Sequence, residues 1–176
     1  MKENIKIAVS GKSGCGNTTV SRIVSRHLEI PFINFTFRSL AEERGIRLED
    51  VLDLAAKDDF WDREVDRRQV QLAREKGSCV LSSRLAIWML EEADLKVFLK
   101  ASAEVRAARI TKREGGNLTA VAAFTAERDR QDHSRYLRLY NINNDDYCFA
   151  NIIIDTENLT PDEVARMIIA AAEKIE

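Results

Sequence analysis

The stretch that organises this chain is Gly11-Lys12-Ser13-Gly14-Cys15-Gly16-Asn17-Thr18-Thr19. An apolar, β-branched segment, Ile5–Ser10, comes directly before it, and residues 18–28 carry their apolar side chains at helical spacing. A glycine-rich turn between a strand and a helix is the context in which the pattern G-x-x-x-x-G-K-[ST] marks a phosphate-binding loop, or P-loop. The local sequence therefore predicts an α/β fold that begins with a nucleotide-binding turn.

The predicted loop would bind phosphate mainly through its backbone. Glycine tolerates backbone conformations that are closed to other residues, so successive N–H groups can point into one concavity. The helix that follows adds unpaired N–H groups and the positive end of its dipole. We expect the whole stretch from Gly11 to Thr19 to hold ATP, and the hydroxyl of Thr18 to ligate the Mg²⁺ that the nucleotide carries.

One position departs from the pattern, because Asn17 stands where the motif has Lys. Asparagine donates hydrogen bonds but carries no charge, and charge-assisted bonds are roughly twice as strong. Lys12, at the second position of the loop, has two open interpretations. Either it is similar to the extra lysine in the deviant loops of some dimeric ATPases, or it is a solvated loop residue.

Size and composition favour a single globular domain. The chain has 176 residues, of which 45% are hydrophobic and 32% charged. Its net charge of −2 favours neither nucleic-acid nor membrane binding, and no apolar run approaches the ~20 residues that span a bilayer. Three cysteines without ligand-like spacing are typical of free thiols in a reducing compartment, and no signal peptide precedes the first strand. We expect a monomeric, cytoplasmic protein whose partners are small molecules.

Strand-like and helical segments alternate along the chain, which predicts a parallel sheet with helices on both faces. The predicted strands are Ile5–Ser10, Pro31–Phe35, Ser78–Ser82, Leu95–Leu99 and Asn151–Asp155. The predicted helices lie at about 17–28, 47–57, 60–76, 102–113, 118–138 and 160–175. Two charged helical stretches are too polar to be only sheet-covering layers. Within one domain spanning residues 1–176, we interpret residues 38–76 as an acceptor-binding flap and residues 102–138 as a lid over the phosphates.

Arginines are concentrated where a ligand of this fold would bind. Arg38 and Arg84 follow the second and third predicted strands, and ligands of open α/β sheets bind at the carboxyl ends of strands. In the predicted lid, two helices carry charged sets at helical spacing, namely Arg106, Arg109 and Arg113, and then Arg128, Asp132 and Arg135. Phosphoryl transfer depends on positioning and charge neutralisation, and guanidinium groups bind phosphate bidentately. The simpler interpretation of mixed charge on helices is a solvated face with i, i+4 ion pairs.

Short motifs over nearly the whole chain carry a more specific resemblance. They include Gly16-Asn17-Thr18-Thr19-Val20, Phe37-Arg38, Asp62-Arg63-Glu64-Val65-Asp66-Arg67-Arg68-Gln69, Arg84-Leu85-Ala86, Ala93-Asp94-Leu95-Lys96, Glu104-Val105-Arg106-Ala107, Lys112-Arg113-Glu114-Gly115, Arg135-Tyr136 and Tyr140-Asn141-Ile142. On these residues the chain resembles the archaeal-type cytidylate kinases, which are small P-loop nucleoside monophosphate kinases. The resemblance implies a five-stranded parallel sheet with helices on both faces and a helical lid. It also implies transfer of the γ-phosphate of ATP to CMP or dCMP, with Mg²⁺.

The resemblance further implies roles for individual residues. Arg38 and Arg84 are similar to contacts with the acceptor phosphate, and Asp66 is a further candidate for acceptor recognition. Asp132 and Arg135 match residues that read the cytosine edge and hold the acceptor. A carboxylate suits cytosine, because cytosine has an exocyclic amino donor where uracil has a carbonyl group. The residues expected to clasp the transferred phosphoryl group in catalysis are Arg106, Arg109, Arg113 and Arg128.

Two departures from the family pattern leave other functions open. Ser82-Ser83 stands before Arg84 where the family usually has Glu-Gly, and Asn17 replaces the loop lysine. One alternative function is that of a nucleotide-binding sensor or degenerate kinase with little turnover. The other is that of a kinase of the same fold acting on UMP, AMP or a non-nucleotide alcohol.

Overall fold

Five parallel strands form one sheet in the computed structural model, which describes residues 2–176. The strands are β1 (Lys6–Ser10), β2 (Phe32–Ile33), β3 (Cys79–Ser82), β4 (Leu95–Lys100) and β5 (Ile152–Asp155). Their order across the sheet is β2-β3-β1-β4-β5, and every neighbouring pair is parallel. The predicted five-stranded parallel sheet is confirmed, although β2 has two residues where the sequence predicts Pro31–Phe35.

Eight helices accompany the strands within residues 2–176. They are α1 (Asn17–Leu28), α2 (Phe37–Arg44), α3 (Leu48–Ala55), α4 (Phe60–Lys76), α5 (Ala86–Met89), α6 (Ala103–Glu114), α7 (Leu118–Tyr140) and α8 (Pro161–Ala172). The six predicted helices are confirmed to within a few residues. The sequence pattern does not single out α5, which has four residues, or α2, which begins at a capping box between Thr36 and Ser39. None of these helices is both long enough and apolar enough to cross a membrane.

Helices cover both faces of the sheet because successive side chains of the central strand point in opposite directions. Ile7 and Val9 of β1 point to one face, where they pack with α1 and α8. Ala8 points to the other face, where Leu81 and Phe98 pack with α4 and α5. All five residues are buried. Strands that are covered on both faces appear in the sequence as continuous apolar runs, which is why their positions could be predicted.

A third apolar cluster lies in the predicted flap. Phe35, Leu40 and Val51 are buried together, and Trp61 and Val65 pack against them. Because these residues come from α2, α3, α4 and the segment after β2, the cluster joins the three helices into one unit.

The strand order determines where a ligand can bind. From β1 the chain passes over β3 to reach β2 and then returns to β3, whereas the later strands, β4 and β5, lie on the opposite side of β1. In open α/β sheets a crevice forms outside the carboxyl ends of the strands at such a reversal. The segments that follow β1 and β3, which contain residues 11–16 and Arg84, both begin at this edge of the sheet.

Candidate active site

The turn between β1 and α1, Gly11 to Gly16, has a shape that two of its glycines make possible. Gly14 has a φ of +88°, and a Cβ atom there would lie 2.8 Å from both the Cβ atom and the backbone oxygen of Arg106. A Cβ atom on Gly11 would lie 2.4 Å from the backbone oxygen of Leu99. A side chain is therefore excluded at Gly14 by conformation and contact, and at Gly11 by contact. The loop is closely packed between β4 and α6.

The N-terminus of α1 follows this loop without a competing negative charge. Within residues 2–176 no side chain caps the helix, and its first turn contains no acidic residue. Free N–H groups and the positive end of the helix dipole attract an anion at such a position. The local geometry therefore suits phosphate oxygens.

Asn17 closes the loop on itself. Its Nδ2 atom donates a hydrogen bond of 2.5 Å to the backbone oxygen of Gly11, at the opposite end of the turn. Its Oδ1 atom is buried and has no hydrogen-bond partner among the described residues. The amide of Asn17 thus bonds to the protein, so this residue contributes to the shape of the loop and adds no charge.

Lys12 is also engaged with the protein. Its ammonium group lies 2.8 Å from a carboxylate oxygen of Asp145, in the segment between α7 and β5. The Lys12 and Asp145 side chains are 34% and 54% exposed, so this ion pair contributes little stability. Lys12 can leave Asp145 at small cost, and both interpretations of Lys12 remain open.

A cleft of about 700 Å³ opens beside the loop, which is a typical volume for a small-molecule site. Its walls come from the loop, from the end of β3 and the segments after β2 and β3, and from α2, α3, α4, α6 and α7. Of the residues predicted for the site, all line this cleft except four, which are Cys15, Arg38, Arg106 and Arg109. The fold thus brings the donor-side and acceptor-side candidates into one space.

Arg106 and Arg109 lie beneath the phosphate-binding loop and outside the cleft. Arg106 is 4% exposed, and its guanidinium group donates to the backbone oxygen of Ser13 (3.1 Å) and to the carboxylate of Asp129 (2.6 Å). Arg109 donates to the backbone oxygen of Gly14 (3.4 Å) and to that of the residue after β5 (2.5 Å). Because α6 packs against the loop, these two side chains bond to the loop backbone and do not line the cleft in this arrangement. That they clasp the transferred group stays a prediction.

The other predicted residues outside the cleft are Arg38 and Cys15. Arg38 is exposed on α2 and does not line the cleft in this arrangement, so its contact with the acceptor phosphate stays a prediction. Cys15 is 2% exposed, and burial raises the pKa of its thiol. Its contribution to the site is therefore that of loop backbone.

Of the four arginines expected to clasp the transferred group, Arg113 and Arg128 line the cleft. Arg113, on the last turn of α6, is paired with Glu114 at 2.5 Å in an exposed position. Arg128, on α7, makes no hydrogen bond or ion pair within residues 2–176. Burial, with a smaller contribution from the charge of Arg84, lowers the pKa of Arg128 below its usual value. An unpaired guanidinium group in a cleft of this kind is well suited to bind an anion.

Asp132 joins two arginines that line the cleft, Arg84 and Arg135. One of its carboxylate oxygens lies 3.1 Å from Nε of Arg84, and the other accepts a hydrogen bond of 2.7 Å from Nη2 of Arg135. The side chain of Asp132 is only 8% exposed. Arg84 also donates to the hydroxyl of Ser13 at 3.0 Å, which connects this group to the phosphate-binding loop. Both oxygens of Asp132 are therefore already engaged by the protein.

Asn34 and Gln69 are among the polar residues of the cleft that sequence reasoning missed. The Nδ2 atom of Asn34 donates to the hydroxyl of Thr18 at 3.3 Å. Asn34 was concealed inside the predicted strand Pro31–Phe35, whereas β2 ends one residue before it. Gln69 has the spacing of a core residue on α4 and is 1% exposed, so nothing in the local pattern marks it as functional.

The oxygen donors near the loop are mainly hydroxyl and amide groups. Ser82 and Ser83 stand where the family pattern has Glu-Gly. Their hydroxyls are buried at the cleft without hydrogen-bond partners in the described part of the chain. Within residues 2–176, no group of three or more His, Cys, Asp or Glu side chains is arranged to hold a metal ion. This donor set fits a Mg²⁺ ion that is bound mainly by nucleotide phosphates and water, with Thr18 adding one hydroxyl.

Comparison with known proteins adds independent evidence. Residues 6–158 match the model of the cytidylate kinase-like family. The chain belongs to this family. Cytidylate kinase 2 from Borreliella afzelii (strain PKo) is 46% identical over 168 residues, which cover 93% of this chain and 94% of that protein. Cytidylate kinase from Pyrococcus horikoshii is 39% identical over 177 residues, which cover 99% of this chain and 92% of that protein.

A solved structure agrees with the fold of this member of the family. Shikimate kinase from Bacteroides thetaiotaomicron aligns with a TM-score of 0.64 and covers 96% of this chain and 98% of its own. Because only 16% of the aligned residues are identical, this likeness is informative about the fold alone. It confirms the predicted P-loop kinase fold, and the family match confirms the predicted cytidylate kinase resemblance.

Proposed function

We propose that this protein is a nucleoside monophosphate kinase that transfers the γ-phosphate of ATP to CMP or dCMP, giving ADP and the corresponding diphosphate. Its membership of the cytidylate kinase-like family supports the proposal, as do the full-length relatives named cytidylate kinase. The observation that carries the proposal is Arg128, whose unpaired guanidinium group shares one cleft with the phosphate-binding loop. A site that only held ATP would not need this second cationic wall.

On the donor side, the backbone of residues 11–19 would cradle the phosphates of ATP. Asn17 and the arginines beneath the loop keep this backbone in shape. Mg²⁺ bound with the nucleotide would be held by the hydroxyl of Thr18 and would neutralise charge on the phosphate oxygens.

The transfer itself does not require a general base. An oxygen of the acceptor phosphate bonds to the γ-phosphorus while the bond from that phosphorus to the bridging oxygen of ADP breaks. The acceptor phosphate has a second pKa of about 6, so near neutral pH its attacking oxygen is largely ionised already. The protein supplies alignment and charge neutralisation. We propose that Arg113 and Arg128, which line the cleft, neutralise charge on the transferred group, and that Arg84 and Arg135 bind the acceptor phosphate.

We also propose that residues 38–76 form a flap and residues 102–138 a lid that close over the substrates. Leu52 on α3 and Phe124 on α7 both line the cleft, and they are 47% and 66% exposed. Large apolar side chains gain stability when a closing movement removes them from water. Closure would also exclude water that could otherwise hydrolyse ATP. Because one chain supplies every wall of the cleft, we propose that the monomer is sufficient for activity.

The proposed function is tested by phosphate transfer from ATP to CMP, dCMP, UMP and AMP. We expect CMP or dCMP to be the preferred acceptor. Arg128→Ala should lower kcat by about 100-fold or more while ATP binding changes little, because the lost guanidinium group acts on the transferred phosphoryl group. Arg130→Ala is the matched control on the same helix, since Arg130 is exposed and paired with Glu127 at 2.5 Å.

The same assay addresses the alternative of a sensor or degenerate kinase. That alternative is supported by Asn17 and by Ser82 and Ser83, at the carboxyl end of β3. Tight ATP binding without transfer to any acceptor would favour the sensor and refute the kinase. Efficient transfer to UMP, AMP or an alcohol, with little transfer to CMP, would instead show a kinase of the same fold with another acceptor.

A further inference from the structure

We infer that Lys12 exchanges partners when ATP binds: it leaves the carboxylate of Asp145 and supplies to the phosphates the positive charge that Asn17 cannot supply. This inference rests on the proposed function only in its assumption that the cleft binds ATP. It adds a regulatory contact to that function, because the segment between α7 and β5, residues 141–151, then competes with the donor nucleotide for Lys12.

Lys12 is the only charged residue of the phosphate-binding stretch, Gly11 to Thr19. It lines the cleft together with the first residues of α1, where free N–H groups attract phosphate oxygens. Asn17 does not take over this role, because it is neutral and its amide donates to the backbone oxygen of Gly11. A lysine carries its charge on a flexible four-carbon stem, so it can reach a new oxygen by rotation alone. The cation that the loop can offer a phosphate is therefore Lys12.

The contact between Lys12 and Asp145 is one that a phosphate can displace. The two groups are 2.8 Å apart, but their side chains are 34% and 54% exposed, and ion pairs in such positions contribute little stability. Asp145 loses little when Lys12 leaves, because its carboxylate remains hydrated and its other oxygen lies 3.5 Å from Nδ1 of His133. The contact thus holds Lys12 beside the loop without fixing it there.

The other carboxylates near Lys12 do not compete for it. They belong to Asp129 and Asp132, which line a cavity of about 10 Å³ together with Lys12. Asp129 is paired with Arg106 at 2.6 Å, and Asp132 with Arg84 at 3.1 Å. Because both carboxylates already have arginine partners, neither prevents Lys12 from turning to a phosphate. The exchange is therefore between one exposed carboxylate and the nucleotide.

This exchange predicts opposite effects of removing its two protein partners. Lys12→Gln should raise the Kd for ATP by about 10- to 100-fold, because a hydrogen bond to a charged group is lost. Asp145→Asn should lower the Kd by about two- to fivefold, because Lys12 no longer has to leave an ion pair. Since both side chains are partly exposed, the Tm of each variant measured without ATP should change little.

A double variant separates this exchange from a general effect of charge, since removing any negative charge near the cleft favours an anion. In a protein that already carries Lys12→Gln, Asp145→Asn should leave the Kd for ATP unchanged, because the two side chains act through one contact. Asp146→Asn is the matched control. Asp146 is the exposed neighbour of Asp145 and makes no ion pair within residues 2–176, so its replacement should not tighten ATP binding.

The test is an equilibrium titration of the whole protein with ATP at a fixed concentration of Mg²⁺, with phosphate transfer to CMP measured in parallel. The inference is overturned if Lys12→Gln leaves the Kd unchanged, if Asp145→Asn does not tighten binding, or if Asp145→Asn has the same effect with and without Lys12. If CMP is phosphorylated in those cases, the proposed function stands and only the inference fails. If ATP binding follows the predicted pattern but no acceptor is phosphorylated, the inference stands and the proposed kinase is refuted. Absence of ATP binding overturns both.

Discussion

The ion pair between Arg106 and Asp129 is the contact on which the shape of the phosphate-binding loop should depend most strongly. The two groups are 2.6 Å apart, and their side chains are only 5% and 16% exposed. The same guanidinium group donates to the backbone oxygen of Ser13 in the loop. Asp129 thus holds in place the arginine that holds the loop. Asp129→Asn removes the charge but keeps the shape of the side chain.

The expected loss of stability follows from burial. Removing one partner of a buried ion pair costs about 3–5 kcal/mol, because the other charge is left without compensation. Nε of Arg106 is already buried without a partner in the described residues, so no nearby acceptor is ready to replace Asp129. Since asparagine retains one acceptor oxygen, we expect about 3 kcal/mol, at the low end of this range. For a chain of this length, that corresponds to a decrease in Tm of roughly 6–12 °C.

Urea unfolding followed by tryptophan fluorescence, with calorimetry for Tm, would measure this effect. ATP titration would show whether the loop is disturbed, and we expect the affinity to fall about tenfold if about 1.4 kcal/mol is needed to reorder the loop on binding. Asp50→Asn is the matched control, because Asp50 is paired with Arg47 in an exposed position where little change is expected. If Asp129→Asn is no more destabilising than this control, the view that Asp129 supports the loop through Arg106 is wrong.

Three further predictions concern single residues. Gly14→Ala should destabilise the protein by about 3 kcal/mol, because alanine would adopt an unfavourable positive φ and its Cβ atom would clash with α6. Gly45→Ala is the control, since Gly45 has a φ of +65° but no atom within 4 Å of the added Cβ atom, and it should cost only about 1–2 kcal/mol. Equal losses of stability in urea unfolding would contradict the close packing of the loop. Asn17→Lys should lower the free energy of unfolding by about 1 kcal/mol, because the hydrogen bond to the backbone oxygen of Gly11 is lost. The change should alter kcat by less than about threefold if the arginines already supply the positive charge. A tenfold rise in kcat would mean that Asn17 is a defect. Because burial raises the pKa of Asp66 to about 6, the folded state binds more protons than the unfolded state between about pH 4 and 6, so the free energy of unfolding should fall as the pH rises through this window. Asp66→Asn should abolish that decline and be about 2 kcal/mol more stable than the unmodified protein at pH 7. Unchanged urea unfolding curves would contradict the raised pKa.

The elements of the fold were largely predictable because their signals are local. Each buried strand is an apolar run, and the loop after β1 combines glycines with a following helix, so neither requires knowledge of distant residues. Short elements were harder to predict. The boundary of β2 was misplaced because Asn34 and Phe35 continue the extended, mostly apolar stretch although they pair with no strand.

The site was predicted less completely, and Arg106, Arg109 and Arg113 show why. Their spacing correctly places them on one helix, but spacing does not determine what that helix packs against. Since the first turns of α6 lie under Gly14, Arg106 and Arg109 bond to the loop, and only Arg113 on the last turn reaches the cleft.

By itself the sequence determined that a strand, a glycine-rich turn and a helix form a phosphate-binding loop within a parallel α/β fold. These features could be predicted because the spacing of apolar residues and of glycines is a property of neighbouring residues. Only the tertiary structure decided which charges face the ligand. Tyr140 reaches Asp66 across 74 positions of the chain, and Arg84 reaches Asp132 from the turn after β3. Which donors engage a carboxylate of the cleft depends on such distant partners, and a lone pair that is already engaged by the protein is less available to a substrate.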